Sequence, residues 1–493
     1  MPNASGLPFL PPRFDARVVA AARLLLPLWL RSHGLRRFEV DGMEQLQEVM
    51  EEFQSGRNRL LLAFRHPSLD DPAVLARLLW HDLHRAGRRR FRPRPHAQFL
   101  YDRGIPLWAG APMGWLLSRL GGCSIQRGAL DLPALRSARG LLLDGPHPFA
   151  VAPEGATNGH NELISPLEPG VAQLALWTAD DLEKAGRTEA TLIVPLGVQY
   201  AFLGPVWPAI EALLHQLETE AGLAPPAGRT LAVEHLQERL LRLCERILDL
   251  MERFYQQLPR PWQASGSAAP RRPPVAAASA RRPDAAAAPS AEALQTPAAT
   301  PLEQRLDTLL ETALQVAEQA LAVEPHGDRS SRCRRLEQAG WERLYPANGS
   351  ALAATGTAPG PAPSALERSL AARLAEDTQR SLWHMRLVES FVAVSGHYVR
   401  DCPSQERFAD TLWILWDTLG RIRDGTPGQR PRLGPRQSLI RIGSPIDVGP
   451  RLGGYRADRR GAVASLTADL QRQMEALIVP SAPPLQAAAS RAR

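Results

Sequence analysis

The sequence reads as α/β, a mixed sheet layered with helices, interrupted by a mainly helical insertion with disordered linkers. Apolar runs of strand length alternate with helix-period patterns between residues 38 and 200. Two Ala/Pro-rich stretches then divide the chain, and neither carries enough large apolar side chains to form a core. A strand pattern returns at Gln437, after the helical region, and needs a sheet to join.

Residues 18–30 form an apolar run flanked by Arg13, Arg17, Arg31, Arg36 and Arg37. It is too short to span a bilayer comfortably, which takes about 20 apolar residues. Arg23 and Pro27 within it and Trp29 near its end fit an interfacial helix resting on a membrane; a helix packed on its own domain is the equal alternative. Strands are expected at 37–40, 59–64, 97–101, 123–126, 149–152 and 191–196, and helices at 43–53, 71–84, 113–120, 132–143 and 171–179. In 229–257, Leu236, Leu240, Leu243, Ile247, Leu250, Met251 and Phe254 recur every three or four positions, so one helix face seeks a partner.

Residues 264–300 read as a disordered linker. Thr300-Pro301-Leu302-Glu303 joins an N-cap, a first-turn proline and a capping-box glutamate, opening a helix to about 322. A second low-complexity break spans 347–363, and Ser364-Ala365-Leu366-Glu367 repeats the signature. Helices resume over 365–399 and 406–422; 437–448 is an alternating strand with a Pro turn, and 461–478 an amphipathic helix. The expected organisation is an N-terminal amphipathic segment (1–37), an α/β domain (38–204), a helical extension (205–263), a linker (264–300), a helical insertion (301–436), a strand and helix returning to the α/β domain (437–480), and a disordered tail (481–493).

At 493 residues, two or three domains are expected. Mean hydropathy of -0.22 is ordinary for a soluble protein. The net charge of +7 is carried almost wholly by arginine, since Lys184 is the one lysine among 58 basic residues. Guanidinium binds phosphate oxygens bidentately, so anionic lipid or phosphorylated substrates are the expected attraction; no nucleic-acid motif accompanies the charge. Cys123, Cys244, Cys333 and Cys402 lack a C-x-x-C pair and no signal peptide precedes them, so reduced thiols in a cytoplasmic setting are expected. His81 and His84 lack further ligands nearby, and no metal is expected.

Four segments of the α/β region carry polar or flexible groups where strands meet loops, the place where ligands gather in open α/β sheets. After the apolar run 60–64, His66-Pro67-Ser68-Leu69-Asp70-Asp71 sets a base and a carboxylate at a spacing that suits an orienting pair, provided a helix starts near Asp70. A solvated turn histidine before a capping Asp is the plain alternative. Ile125-Gln126-Arg127 places an arginine past a short strand, Pro153-Glu154-Gly155 ends another, and Ile193-Val194-Pro195-Leu196-Gly197 ends a third. Singly these read as a surface arginine, a turn and a strand terminator.

In their order and spacing, the four segments resemble the four motifs of the glycerolipid acyltransferases, in particular the 1-acylglycerol-3-phosphate acyltransferase family; Ser68 matches a serine common within the first motif. The resemblance covers about 38–200, and extends to 437–478 through Ile442-Gly443-Ser444-Pro445-Ile446 and the terminal helix. It implies that His66 is the general base oriented by Asp71, and that Arg127 pairs with a substrate phosphate. Glu154 and Gly155 would line the acceptor pocket, with Ser68 nearby, and the backbone at Pro195, Leu196 and Gly197 would border an acyl thioester. No cofactor is implied beyond acyl-ACP or acyl-CoA as co-substrate, and no Gly-x-Ser-x-Gly elbow signals a covalent intermediate.

Two departures bear on substrate. Arg65 stands where the family often has Asn, and Ala156-Thr157-Asn158 follows Gly155 where the family has Thr-Arg-Ser. A phosphate-contacting arginine is thus missing there, and Arg65 or another arginine would have to compensate. The expected function is a bacterial acyltransferase of phospholipid biosynthesis, cytoplasmic and peripheral on the inner face of a membrane, acting on 1-acylglycerol-3-phosphate. Another lysolipid or lipid-linked acceptor is the alternative within the enzyme class, and a non-catalytic lipid-binding scaffold is the alternative outside it.

Overall fold

The computed structural model describes residues 9–87, 91–126, 131–224, 226, 228, 231–258, 301–345, 364–391, 397–426 and 428–481. Arg127, the linker expected at 264–300, the break at 347–363 and the tail from 482 onward lie outside the described residues.

Helix α1 (Ala16–Ser32) leads into β1 (Leu35–Asp41), α2 (Met43–Gln54) and β2 (Asn58–Phe64). Helix α3 (Asp71–Arg77) passes through a π-helical turn (Leu78–Leu83) into α4 (His84–Ala86), so the helix expected over 71–84 is not uniform. Then come β3 (Gln98–Asp102), α5 (Ile105–Ala109), α6 (Ala111–Arg119), β4 (Gly122–Ile125), α7 (Leu132–Asp144), β5 (Phe149–Val151), α8 (Gly170–Lys184) and β6 (Ala190–Phe202).

The helical region holds α9 (Trp207–Glu220), α10 (Val233–Gln257), α11 (Pro301–Leu321), α12 (Arg329–Leu344), α13 (Ala365–Glu389), α14 (Tyr398–Asp401) and α15 (Gln405–Asp424). The chain closes with β7 (Arg436–Ile442), β8 (Ile446–Asp447), α16 (Leu452–Ala457) and α17 (Arg459–Ala476).

The strands form one mixed sheet in the order β1-β7-β6-β2-β5-β3-β4, with β8 also paired to β6. The run from β6 to β4 is parallel, whereas β7 is antiparallel to β6 and parallel to β1. The late strand therefore fills the interior of the sheet rather than extending an edge. Both faces are covered, which is why β2 is an unbroken apolar run. Leu60, Leu62 and Phe64 pack under α1, α2 and α3, while Leu61 and Ala63 pack with α7, α8 and α17. Burying each of these Leu and Phe side chains contributes about 1.5–3 kcal/mol.

Strand β6 corrects one expectation. It was expected to end near 196, with Pro195 and Gly197 as terminators, but it continues to Phe202. Pro195 lacks an N–H, yet its carbonyl accepts from Gly443 (2.8 Å), and Gly197 leaves room for Leu477, whose Cβ would lie 2.9 Å from an added Cβ. Pairing with β7 across 196–202 keeps the strand extended.

The helical extension and the insertion share one apolar core: Leu214 and Leu217 of α9 and Leu240 and Leu243 of α10 pack with Leu310 and Leu314 of α11, Leu336 of α12, Leu382 of α13 and Phe408 and Leu412 of α15. Helix α12 had no separate sequence expectation, because five arginines mask its apolar positions. At the other end, Ser481, expected to open a disordered tail, donates its amide to Glu162 Oε1 (3.0 Å), so a specific polar partner fixes it. Residues 35–37, assigned to the N-terminal segment by sequence, belong to β1. Among the described residues no helix is long and apolar enough to cross a membrane.

Candidate functional site

The loops after β2 and β5 meet at the carboxyl edge of the parallel strands, where sheets of this kind place ligands. Arg65 donates its amide to Leu196 O (2.9 Å), extending the ladder one residue past β2 and turning His66 outward. Helix α3 begins at Asp71, with Pro72 in its first turn, where a fixed φ is preorganised for the helix.

His66 Nδ1 lies 3.0 Å from Asp71 Oδ2, and the same oxygen accepts the Ser68 amide (2.8 Å). The Tyr200 hydroxyl donates to Asp71 Oδ1. Burial pushes the Asp71 carboxyl above its ordinary range; the bonds from His66, Tyr200 and Ser68 oppose that shift. With Nδ1 engaged, the second imidazole nitrogen is left for chemistry. The His66 side chain, 19% exposed, lines a cavity of about 1820 Å³, far larger than an ordinary small-molecule pocket.

Glu154, expected at the acceptor side, does not line that cavity. Its carboxylate is fully buried: Oε1 accepts the His66 amide (2.9 Å), and Oε2 accepts Asn158 Nδ2 (2.8 Å) and the Ser165 amide (3.0 Å). Arg65 Nε stands 3.9 Å from Oε1. The Arg65 guanidinium is also fully buried, donating to the carbonyls of His160 (2.7 Å), Leu163 (2.5 Å) and Asn161. Arg65 therefore cannot supply the missing phosphate contact; it fixes the 154–163 loop to the base.

Gly155 does line the cavity, in a turn with φ of +74° where a Cβ would sit 1.7 Å from Glu168 Oε1. Ser68 also lines it, but its hydroxyl accepts the Asp70 amide (3.2 Å) and so serves the turn. Pro195 and Gly197 do not line it, because they sit mid-strand in β6. The nearest described neighbour of Arg127 is Gln126, whose side chain donates to Gln338 of α12 (2.7 Å). His81 Nε2 lies 3.2 Å from the Arg23 carbonyl, which ties the π turn to α1.

Sequence reasoning missed the parts played by Tyr200, Asp70, Asp410 and Arg407. Tyr200 follows Leu196 and Val198 at period two on one buried face of β6, a legible signal had the strand been extended. Asp70 is held by Arg436 (2.9 Å) of β7 and faces His33 Nδ1 (2.9 Å) beyond α1. On the insertion, Asp410 accepts the Asn161 amide (2.9 Å) and the Tyr398 hydroxyl (2.7 Å), while Arg407 bonds Glu162 (2.8 Å). The loop that braces the base is thus braced in turn by α15.

Apolar side chains Leu25, Leu26 and Trp29 of α1, with Phe64, Leu79, Trp80 and Leu116, line one part of the cavity. Helix α1 buries Val19, Leu26 and Leu30 and exposes Leu24 (77%), Leu25 (62%) and Leu28 (65%), so it has one packed face and one open apolar face. No protein-family model matches the chain, and no curated protein matches it.

Proposed function

We propose that this protein is an acyltransferase that moves a fatty acyl chain from acyl-CoA or acyl-ACP to the free hydroxyl of 1-acylglycerol-3-phosphate or a closely related lysolipid, with the fold of the glycerolipid acyltransferases. One observation carries the reading: His66, oriented by the buried Asp71–Tyr200 pair, faces a large cavity with an apolar wall. A lipid-binding scaffold needs no oriented base.

In this reading the free nitrogen of His66 takes the proton of the acceptor hydroxyl as its oxygen attacks the thioester carbonyl. Asp71 holds the tautomer and stabilises the imidazolium that forms. Collapse of the tetrahedral intermediate makes the new ester, breaks the carbon–sulfur bond and returns the proton to the leaving thiolate. The open apolar face of α1, beside flanking arginines, suits a helix lying on anionic lipid, from which both substrates would enter.

The test is mass analysis of lipid products after incubating the full chain with a panel of lysolipid acceptors and acyl donors. A diacyl product formed from a lysolipid supports the proposal. Failure of every acceptor and donor pair to give a new ester favours the scaffold.

A further inference from the structure

The insertion lines the same cavity as His66, through Trp341 of α12, Arg386 of α13, Arg421 of α15 and the segment carrying Arg430 and Arg432. These arginines differ in how they are spent. Arg430 binds Asp417 through Nε (2.9 Å) and Nη2 (2.6 Å), and Arg436 binds Asp70. The guanidinium groups of Arg386 and Arg421 have neither an ion pair nor a hydrogen bond among the described residues, and Arg421 Nε is shut off from solvent without a partner.

Burial first, and the Arg386 charge second, lower the Arg421 pKa from its ordinary value; the fields of Asp417 and Glu389 only partly offset this. Two like charges held together in a partly enclosed cavity are costly unless an anion joins them. The basic wall reaches the loop that braces the base: Arg430 Nη2, bonded to Asp417, would lie 3.5 Å from a Cβ on Gly159, within the loop that Arg65 and Glu154 tie to His66, and Arg386, Arg421 and His66 line the same cavity.

We propose that Arg386 and Arg421 of the insertion form a phosphate subsite, which holds the phosphomonoester of the acyl acceptor while its hydroxyl lies at His66. The inference rests on the acyl-transfer reading and deepens it: the insertion selects the acceptor. Planar guanidinium forks suit a phosphomonoester, and the 154–163 loop supplies no arginine of its own.

The kinetic test uses the full chain with lysophosphatidic acid, 1-monoacylglycerol as the phosphate-free acceptor, and an acyl thioester. Arg386→Gln and Arg421→Gln should each raise KM for lysophosphatidic acid by about tenfold or more. They should leave KM for the donor and turnover of monoacylglycerol unchanged, with Arg421→Lys recovering part of the loss. An unchanged acceptor KM, or a rise in donor KM instead, overturns the subsite; the second result would assign the arginines to donor phosphates. Calorimetric titration with glycerol 3-phosphate separates the two levels. Weaker binding to Arg421→Gln but equal binding to His66→Ala supports the subsite even if no acyl transfer is found, and equal binding to Arg421→Gln and the native chain overturns it whatever the activity.

Discussion

The Tyr200 hydroxyl donates to one oxygen of Asp71 while the other oxygen faces His66 Nδ1 at 3.0 Å, so strand β6 and helix α3 hold the base jointly. The Asp71 carboxyl, raised by burial, must be ionised to accept from the imidazole. Tyr200→Phe removes one stabiliser of the ionised form, so the Asp71 pKa climbs further. The acid limb of the rate profile should move to higher pH by about one unit or more. A pH–rate series on the two proteins reads this, and an acid limb that stays put counts against the role of Tyr200.

Arg65 joins a buried carboxylate to three carbonyls of the neighbouring loop. Arg65→Met leaves Glu154 buried without its counter-charge and should cost about 3–5 kcal/mol of stability. Urea titration measures it. A loss below about 1 kcal/mol would mean that the loop keeps its shape without the guanidinium.

Asp410 gives a pH signature. Burial lifts its carboxyl to about 7, against the bonds it accepts from Asn161 and Tyr398. Because the folded state favours the protonated form, this group's contribution to stability is greatest below the ordinary carboxylate range. It declines as pH rises and levels off above about 7. From pH 5 to pH 8 the decline amounts to about 2–3 kcal/mol. Asp410→Asn keeps an acceptor for Asn161 and should abolish this fall, so its melting-temperature advantage over the native chain should grow from pH 5 to pH 8. A constant difference would contradict the assignment.

The open face of α1 predicts lipid binding that can be separated from folding. Leu25→Asp with Leu28→Asp changes exposed positions and should leave the melting temperature near that of the native chain. Sedimentation with anionic vesicles should fall several-fold, at about 0.8 kcal/mol lost per CH₂ withdrawn from the lipid. Equal sedimentation would place any membrane contact elsewhere.

Much of the sheet was legible from two patterns: β2, buried on both faces, appears as a plain apolar run, and β7 alternates buried and half-buried positions from Gln437 onward. Asp71 was legible too, from its spacing to His66 and a helix expected to start near Asp70, and the helix does start there. What stayed hidden depends on long-range contact. Pro195 and Gly197 carry local signals for a strand end, and pairing with β7 overrides them. Glu154 and Arg65 look like site residues in sequence but act by holding the base, a role visible only once the loop at 160–163 folds back. The insertion's part in the cavity had no local signal, because Arg386 and Arg421 resemble any helix-surface arginine until the fold sets them in the lining of one cavity.

The decisive measurement is the rate of thiol release from an acyl thioester, with and without lysophosphatidic acid, for the native chain and for His66→Ala at a pH above the acid limb. General-base catalysis by His66 predicts acceptor-dependent release that falls by about a hundredfold or more in the variant. Equal acceptor-dependent release by the two proteins would contradict it.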